Sequence, residues 1–139
     1  MKPLKSAVLI PFILLIIFAC NKKDDEKSER FVLLTSHAWK SDSLLADGVE
    51  AGDEGQLLYP FSGEARFKED GTGYVGRYPG TWSFNPDETQ IIIVSDSLPS
   101  VATAVIDELT ETSLKLVSLF ITNTEPSQLV QIRLTYKPL

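Results

Sequence analysis

The chain of 139 residues has one cysteine and one histidine. A single thiol allows no intramolecular disulfide, so any fold must be held by its own buried apolar surface. That thiol, Cys20, precedes the segment that patterns as a domain, which removes thiolate metal clusters and cysteine nucleophiles from the domain itself. His37 would have to serve any serine-histidine-carboxylate triad, yet no Gly-x-Ser-x-Gly elbow is there to present a nucleophile. One imidazole among carboxylates is also a poor donor set for zinc. Basic residues are scarce beyond residue 30: seven Lys and Arg face fifteen Asp and Glu, a net charge of −8. Nucleic acid and anionic membrane surfaces need clustered basic side chains, so nucleic-acid binding is discarded. Helical periodicity is missing too, since no apolar stripe persists for three turns. These absences point to a protein without catalytic residues, metal or cofactor, and no enzymatic activity is expected.

What is present starts at the N-terminus. Lys2 and Lys5 precede an apolar run of thirteen residues, Ala7 to Ala19, followed at once by Cys20, Asn21, Lys22 and Lys23. A transmembrane helix needs about 20 apolar residues. The run is therefore read as an export signal. Its end, Ile17-Phe18-Ala19-Cys20, resembles the lipobox of bacterial lipoproteins, which implies a signal peptide over 1–19 and a palmitate-bearing membrane anchor at Cys20. Residues 20–30 then form a lipidated cysteine and a charged tether, because 21–30 contain no apolar side chain that could offset the entropy of ordering. Lys23-Asp24-Asp25-Glu26 resembles the acidic export signal of surface lipoproteins in the Bacteroidetes group. Together these resemblances imply an outer membrane lipoprotein, on the periplasmic side or at the cell surface.

Residues 31–139 have the length of one domain. Short runs rich in Val, Ile, Thr, Tyr, Phe and Trp alternate with Gly, Pro, Asn and Asp. The pattern predicts a helical turn over 31–36. It predicts strands near 37–46, 56–60, 63–69, 72–78, 80–85, 89–95, 101–110, 113–122 and 128–137. Asp70-Gly71 makes a tight hairpin, glycine supplying positive φ, and Asn85-Pro86-Asp87 makes another turn. Alternation places Ala65, Phe67, Val130, Ile132, Leu134 and Tyr136 on a buried face, against Glu64, Arg66, Lys68, Gln131, Arg133, Thr135 and Lys137 outside. Sequential hairpins without a helical crossover imply an all-β antiparallel meander, closed as an up-and-down barrel of about eight strands. An immunoglobulin-like sandwich is the alternative.

The order Ala38-Trp39-Lys40, then Ala65-Arg66-Phe67-Lys68-Glu69-Asp70-Gly71-Thr72-Gly73, then Gly80-Thr81-Trp82-Ser83-Phe84, then Ile106-Asp107-Glu108-Leu109-Thr110 with Leu114-Lys115-Leu116 resembles the small lipocalin-like (calycin-type) domains of bacterial lipoproteins. That resemblance covers nearly all of 31–139. It implies a structural pair in which Arg133, from the last strand, stacks across Trp39, so that Arg133→Ala would change the fluorescence of Trp39. Position in the chain puts Tyr59, Phe61 and Tyr78 near strand ends at a barrel mouth. With Tyr74 and Trp82 they are the candidate ligand-binding residues. Adjacent acids such as Asp53-Glu54, Asp87-Glu88 and Asp107-Glu108 read as solvated turn residues. Asp42-Ser43-Leu44 and Asp96-Ser97-Leu98 resemble an O-glycosylation acceptor of exported proteins.

Two functions fit these features. In the first, an envelope-anchored lipocalin-like domain binds a small apolar or sugar-like ligand without catalysis. In the second, a side-chain-filled barrel presents loops such as 46–55 and 95–100 to an envelope protein, as an interaction or inhibitor module. A cavity lined by Phe and Trp favours the first, and a solid core with an exposed apolar patch favours the second.

Overall fold

A computed structural model describes residues 26–139. The signal segment, Cys20 and the run to Asp25 lie outside the described residues. Helix α1 spans Glu29–Thr35. Ser28 caps it, its hydroxyl accepting from the Phe31 N–H at 3.1 Å, and Glu29 places a negative charge in the first turn, where the helix dipole favours it. Phe31, Leu33 and Leu34 turn toward the core, and burial of Leu34 alone contributes roughly 1.5–3 kcal/mol. The charged segment read as a tether is therefore partly ordered: Lys27 reaches Glu69 at 2.7 Å, and Arg30 donates to the Glu88 carbonyl at 2.9 Å.

Nine strands follow: β1 (Trp39–Ala46), β2 (Val49–Glu50), β3 (Glu64–Phe67), β4 (Thr72–Val75), β5 (Tyr78–Phe84), β6 (Gln90–Val94), β7 (Ala102–Leu109), β8 (Leu114–Ile121) and β9 (Leu129–Pro138). All pair antiparallel. From β3 to β9 each strand lies beside its sequence neighbour, and β9 returns to pair with β1 from Trp39↔Pro138 to Ala46↔Ile132. One sheet thus closes into an eight-stranded lipocalin-like barrel, with β2 as a two-residue flap on β1. The β1–β9 ladder is what rules out the sandwich, whose two sheets would face each other without sharing it.

The expected strand at 56–60 is not one. Backbone bonds Gln56 N–H to the Asp53 carbonyl and Phe61 N–H to the Leu58 carbonyl coil this stretch into turns ending in a 3-10 turn, Tyr59–Phe61. Pro60 has no N–H to give a ladder, and Leu58 is the one side chain here driven fully inside. The Asp70-Gly71 hairpin forms as expected, with Gly71 at φ +84° and the Asp70 carboxylate accepting from both the N–H and the hydroxyl of Thr72. These bonds, the hydroxyl first, hold the Asp70 carboxyl below its ordinary range.

Two bulges set which side chains point inward. Trp39 and Leu44 are both buried although five residues apart, a spacing that would face opposite sides of a regular strand. The register shift between Ser41 and Ser43 resets the parity. A second shift, between Ile106 and Glu108, does the same for Ile106 and Leu109. The interior is packed with Trp39, Phe67, Ile91, Leu114, Leu116 and Tyr136 and is closed by Leu34 from α1 and Leu58 from the 51–63 loop. Helix α1 lies at the end carrying the turns 68–71, 85–89 and 110–113. Loops 51–63, 95–101 and 122–128 and the turns at 47–48 and 76–77 occupy the other end.

Candidate functional site

The aromatic residues expected at a mouth gather on one side of the barrel. Tyr78 packs on Phe61 with ring centroids 4.9 Å apart. Tyr59 lies under the Arg77 guanidinium at 4.8 Å, a cation–π contact worth about 0.5–1 kcal/mol at an exposed site. Trp82 points inward, edge-on to both Phe67 and Phe84 and beside Phe31, and its indole N–H donates to the Lys68 carbonyl at 2.8 Å. Tyr74 sits on β4 with its phenol bonded to Glu64, which pushes that phenol above its ordinary range.

Tyr74, Tyr78 and Trp82 do border a common hollow, together with Phe67, Val75 and Ile93. Gly73 and Gly80, paired across β4 and β5, line it with backbone alone. Its free volume is about 10 Å³, and a water needs roughly 10–15 Å³. The hollow therefore has the size of a single water, and a sugar ring or acyl chain would need side chains to move. Tyr59 and Phe61 do not line it; they pack instead over the neighbouring loop.

The Arg133–Trp39 pair does not form. On β9, Ile132, Leu134 and Tyr136 face inward, so Arg133 faces out and bonds Asp107 at 3.1 Å on the surface. Strand parity decides this, and no bulge interrupts β9 to reverse it. Trp39 is instead covered by the His37 ring at 4.4 Å and donates its indole N–H to the Leu34 carbonyl at 3.0 Å. Arg133→Ala should accordingly leave tryptophan emission unchanged and cost under about 1 kcal/mol, as expected for an ion pair whose side chains are about half exposed. A shifted emission maximum would contradict this geometry.

His37 Nδ1 lies 3.2 Å from the Ser36 hydroxyl, the one Ser–His contact among the described residues. It lacks the third member of a hydrolytic constellation: Nε2 is buried with no partner, and no carboxylate orients the ring. No grouping of three His, Cys, Asp or Glu that could hold a metal occurs among the described residues. Ser43 is laddered to Thr135 inside β1, and Ser97 lies in the exposed 95–101 loop.

Tyr136 is fully buried, its hydroxyl donating to the Phe61 carbonyl at 3.2 Å, and burial holds its phenol protonated far above the ordinary value near 10. In the unfolded chain the phenol ionises from about pH 10. Stability from this group is therefore complete below pH 10 and falls as pH rises beyond it, because there the folded state binds the proton that the unfolded state has lost. Urea unfolding between pH 9 and 11.5 should show this decline, and Tyr136→Phe should flatten it.

Neither a protein-family model nor a curated protein matches the chain. Among the described residues, no helix is long and apolar enough to cross a membrane.

Proposed function

We propose that this protein is an envelope lipoprotein, anchored through Cys20, whose barrel works without catalysis as an interaction module. The observation carrying this reading is the filled interior. Trp39, Phe67, Leu114, Leu116 and Tyr136 occupy the barrel, α1 covers one end, and about 10 Å³ is left beside Trp82. Recognition is then confined to the outside. The polarity of the barrel supports the same reading. The chain enters the domain at the α1 end, so an anchor at Cys20 would leave loops 51–63, 95–101 and 122–128 facing away from the membrane, free to meet an envelope protein. Of the two functions that fit the sequence, the ligand carrier asks for more room than the water-sized hollow beside Trp82, which favours the interaction reading.

Native mass spectrometry of the protein purified from its own host tests this. The expected mass is that of the acylated chain without a small molecule. A stoichiometric apolar or sugar-like adduct would return the carrier reading to first place.

A further inference from the structure

The outward positions of β6 to β9 change character halfway along the barrel. From the middle of β9 toward α1 they are charged and paired: Arg133 with Asp107 at 3.1 Å, Lys115 with Glu108 at 3.2 Å, and Lys137 with Asp42 of β1 at 2.9 Å. Toward the other end they are aliphatic. Val94, Val101, Val105, Leu119, Ile121 and Leu129 stand between 46% and 64% exposed.

Register places them in neighbouring rungs on the two sides of the β7–β8 seam. Ile121 pairs with Leu129, and Val105 with the outward Val117. Ile93↔Ala102 is the last pair of β6 and β7, and Val94 and Val101 flank that end of the ladder. Six such side chains leave on the order of 600 Å² of apolar area in water, the upper end of what a monomer shows. The wall also opens here. The β7–β8 ladder ends at Val105↔Val117, whereas β6–β7 continues to Ile93↔Ala102 and β8–β9 to Ile121↔Leu129. The Ser118 hydroxyl bonds the Thr103 carbonyl at 2.7 Å, and past it Leu119-Phe120-Ile121 is laddered to β9 alone. That stretch carries none of the charges or prolines that blunt a strand edge against pairing.

We infer that a second copy of this chain docks on this wall, face to face about a twofold axis. Area supports a copy: two such faces would remove about 1,200 Å² from water, within the range of specific interfaces, and one alone would not. Symmetry supports it as well, because a twofold contact needs a patch complementary to itself, which uncharged aliphatic side chains provide. Charge points the same way. Two domains of net charge −8 repel, so they meet best where free acids are absent: the six aliphatic positions carry none, and the acid next to them, Asp107 beside Val105, is paired with Arg133. The patch has no Trp, Tyr, Lys or Arg of the kind that seats a surface in a lipid headgroup layer. A twofold axis running along the barrels would keep both α1 ends on one side.

The test uses the full chain in intact cells of its host. Leu129→Cys treated with a short, membrane-permeant bismaleimide should give a product of twice the chain mass. Thr72→Cys, exposed near the α1 end, should give none. Adding Leu119→Glu and Ile121→Glu to the Leu129→Cys chain should lower the dimer yield at least about tenfold, since each buried charge opposes docking. Absence of the dimer product would overturn the inference. So would a yield insensitive to the two glutamates, a product whose mass identifies a different protein, or a cysteine reached only by lipophilic maleimides, which would assign the wall to the bilayer.

Discussion

Trp39→Ala is expected to cost about 4 kcal/mol, a large share of the 5–15 kcal/mol that holds a domain of this size together. Trp39 has no exposed surface. It begins β1 at the point where that strand bridges β3 and β9, pairing Ala65 on one side and Pro138 on the other. Its removal therefore opens a void at the seam that closes the barrel. The indole N–H also satisfies the Leu34 carbonyl in the last turn of α1, a group with no intrahelical partner to fall back on. Trp39→Phe separates the two contributions: it keeps most of the apolar volume and loses the hydrogen bond, so about 1–2 kcal/mol should go. Urea unfolding of the three chains, with unchanged slopes, is the measurement. Equal losses for Phe and Ala would mean that the hydrogen bond, rather than the packing, dominates.

Alanine at Gly73 or Gly80 should be nearly as damaging, at roughly 3 kcal/mol or more each, for a different reason. The two glycines face each other across β4 and β5. A Cβ on Gly73 would lie 2.0 Å from the Arg66 carbonyl oxygen, and one on Gly80 would lie 2.0 Å from that of Val94. The obstacle in both cases is backbone of the next strand, so relief requires the wall itself to shift, which close-packed sheets resist. Gly48 provides the contrast. It has φ +81° but open space around it, so Gly48→Ala should incur only the left-handed penalty of about 1–2 kcal/mol. If all three substitutions cost the same, the close approach of β3, β4, β5 and β6 is not what these glycines serve.

Both effects sit on positions whose importance was unevenly visible beforehand. Trp39 stands out in the sequence as a first-strand tryptophan with a structural role, which the lipocalin-like resemblance implies. Gly73 and Gly80 belong to the motifs that carry the lipocalin-like resemblance but have no role there, because nothing in a linear pattern says that two glycines will meet across a ladder. The aliphatic outer wall left a trace, since Leu119 and Ile121 make β8 apolar at both parities, as Ile92 and Val94 do for β6. Alternation arguments sort such strands poorly, because either face would satisfy them.

The sequence by itself determined the all-β class, the hairpin at Asp70-Gly71 and the inward set Ala65, Phe67, Val130, Ile132, Leu134 and Tyr136. These follow from a two-residue period and from turn chemistry, which act between near neighbours. Only the tertiary structure decided that β9 closes on β1, that Arg133 meets Asp107 instead of Trp39, and that the interior is filled. Closure, bulge position and packing depend on contacts between residues tens of positions apart. A one-residue bulge between Ser41 and Ser43 is enough to carry Leu44 from one face of the wall to the other.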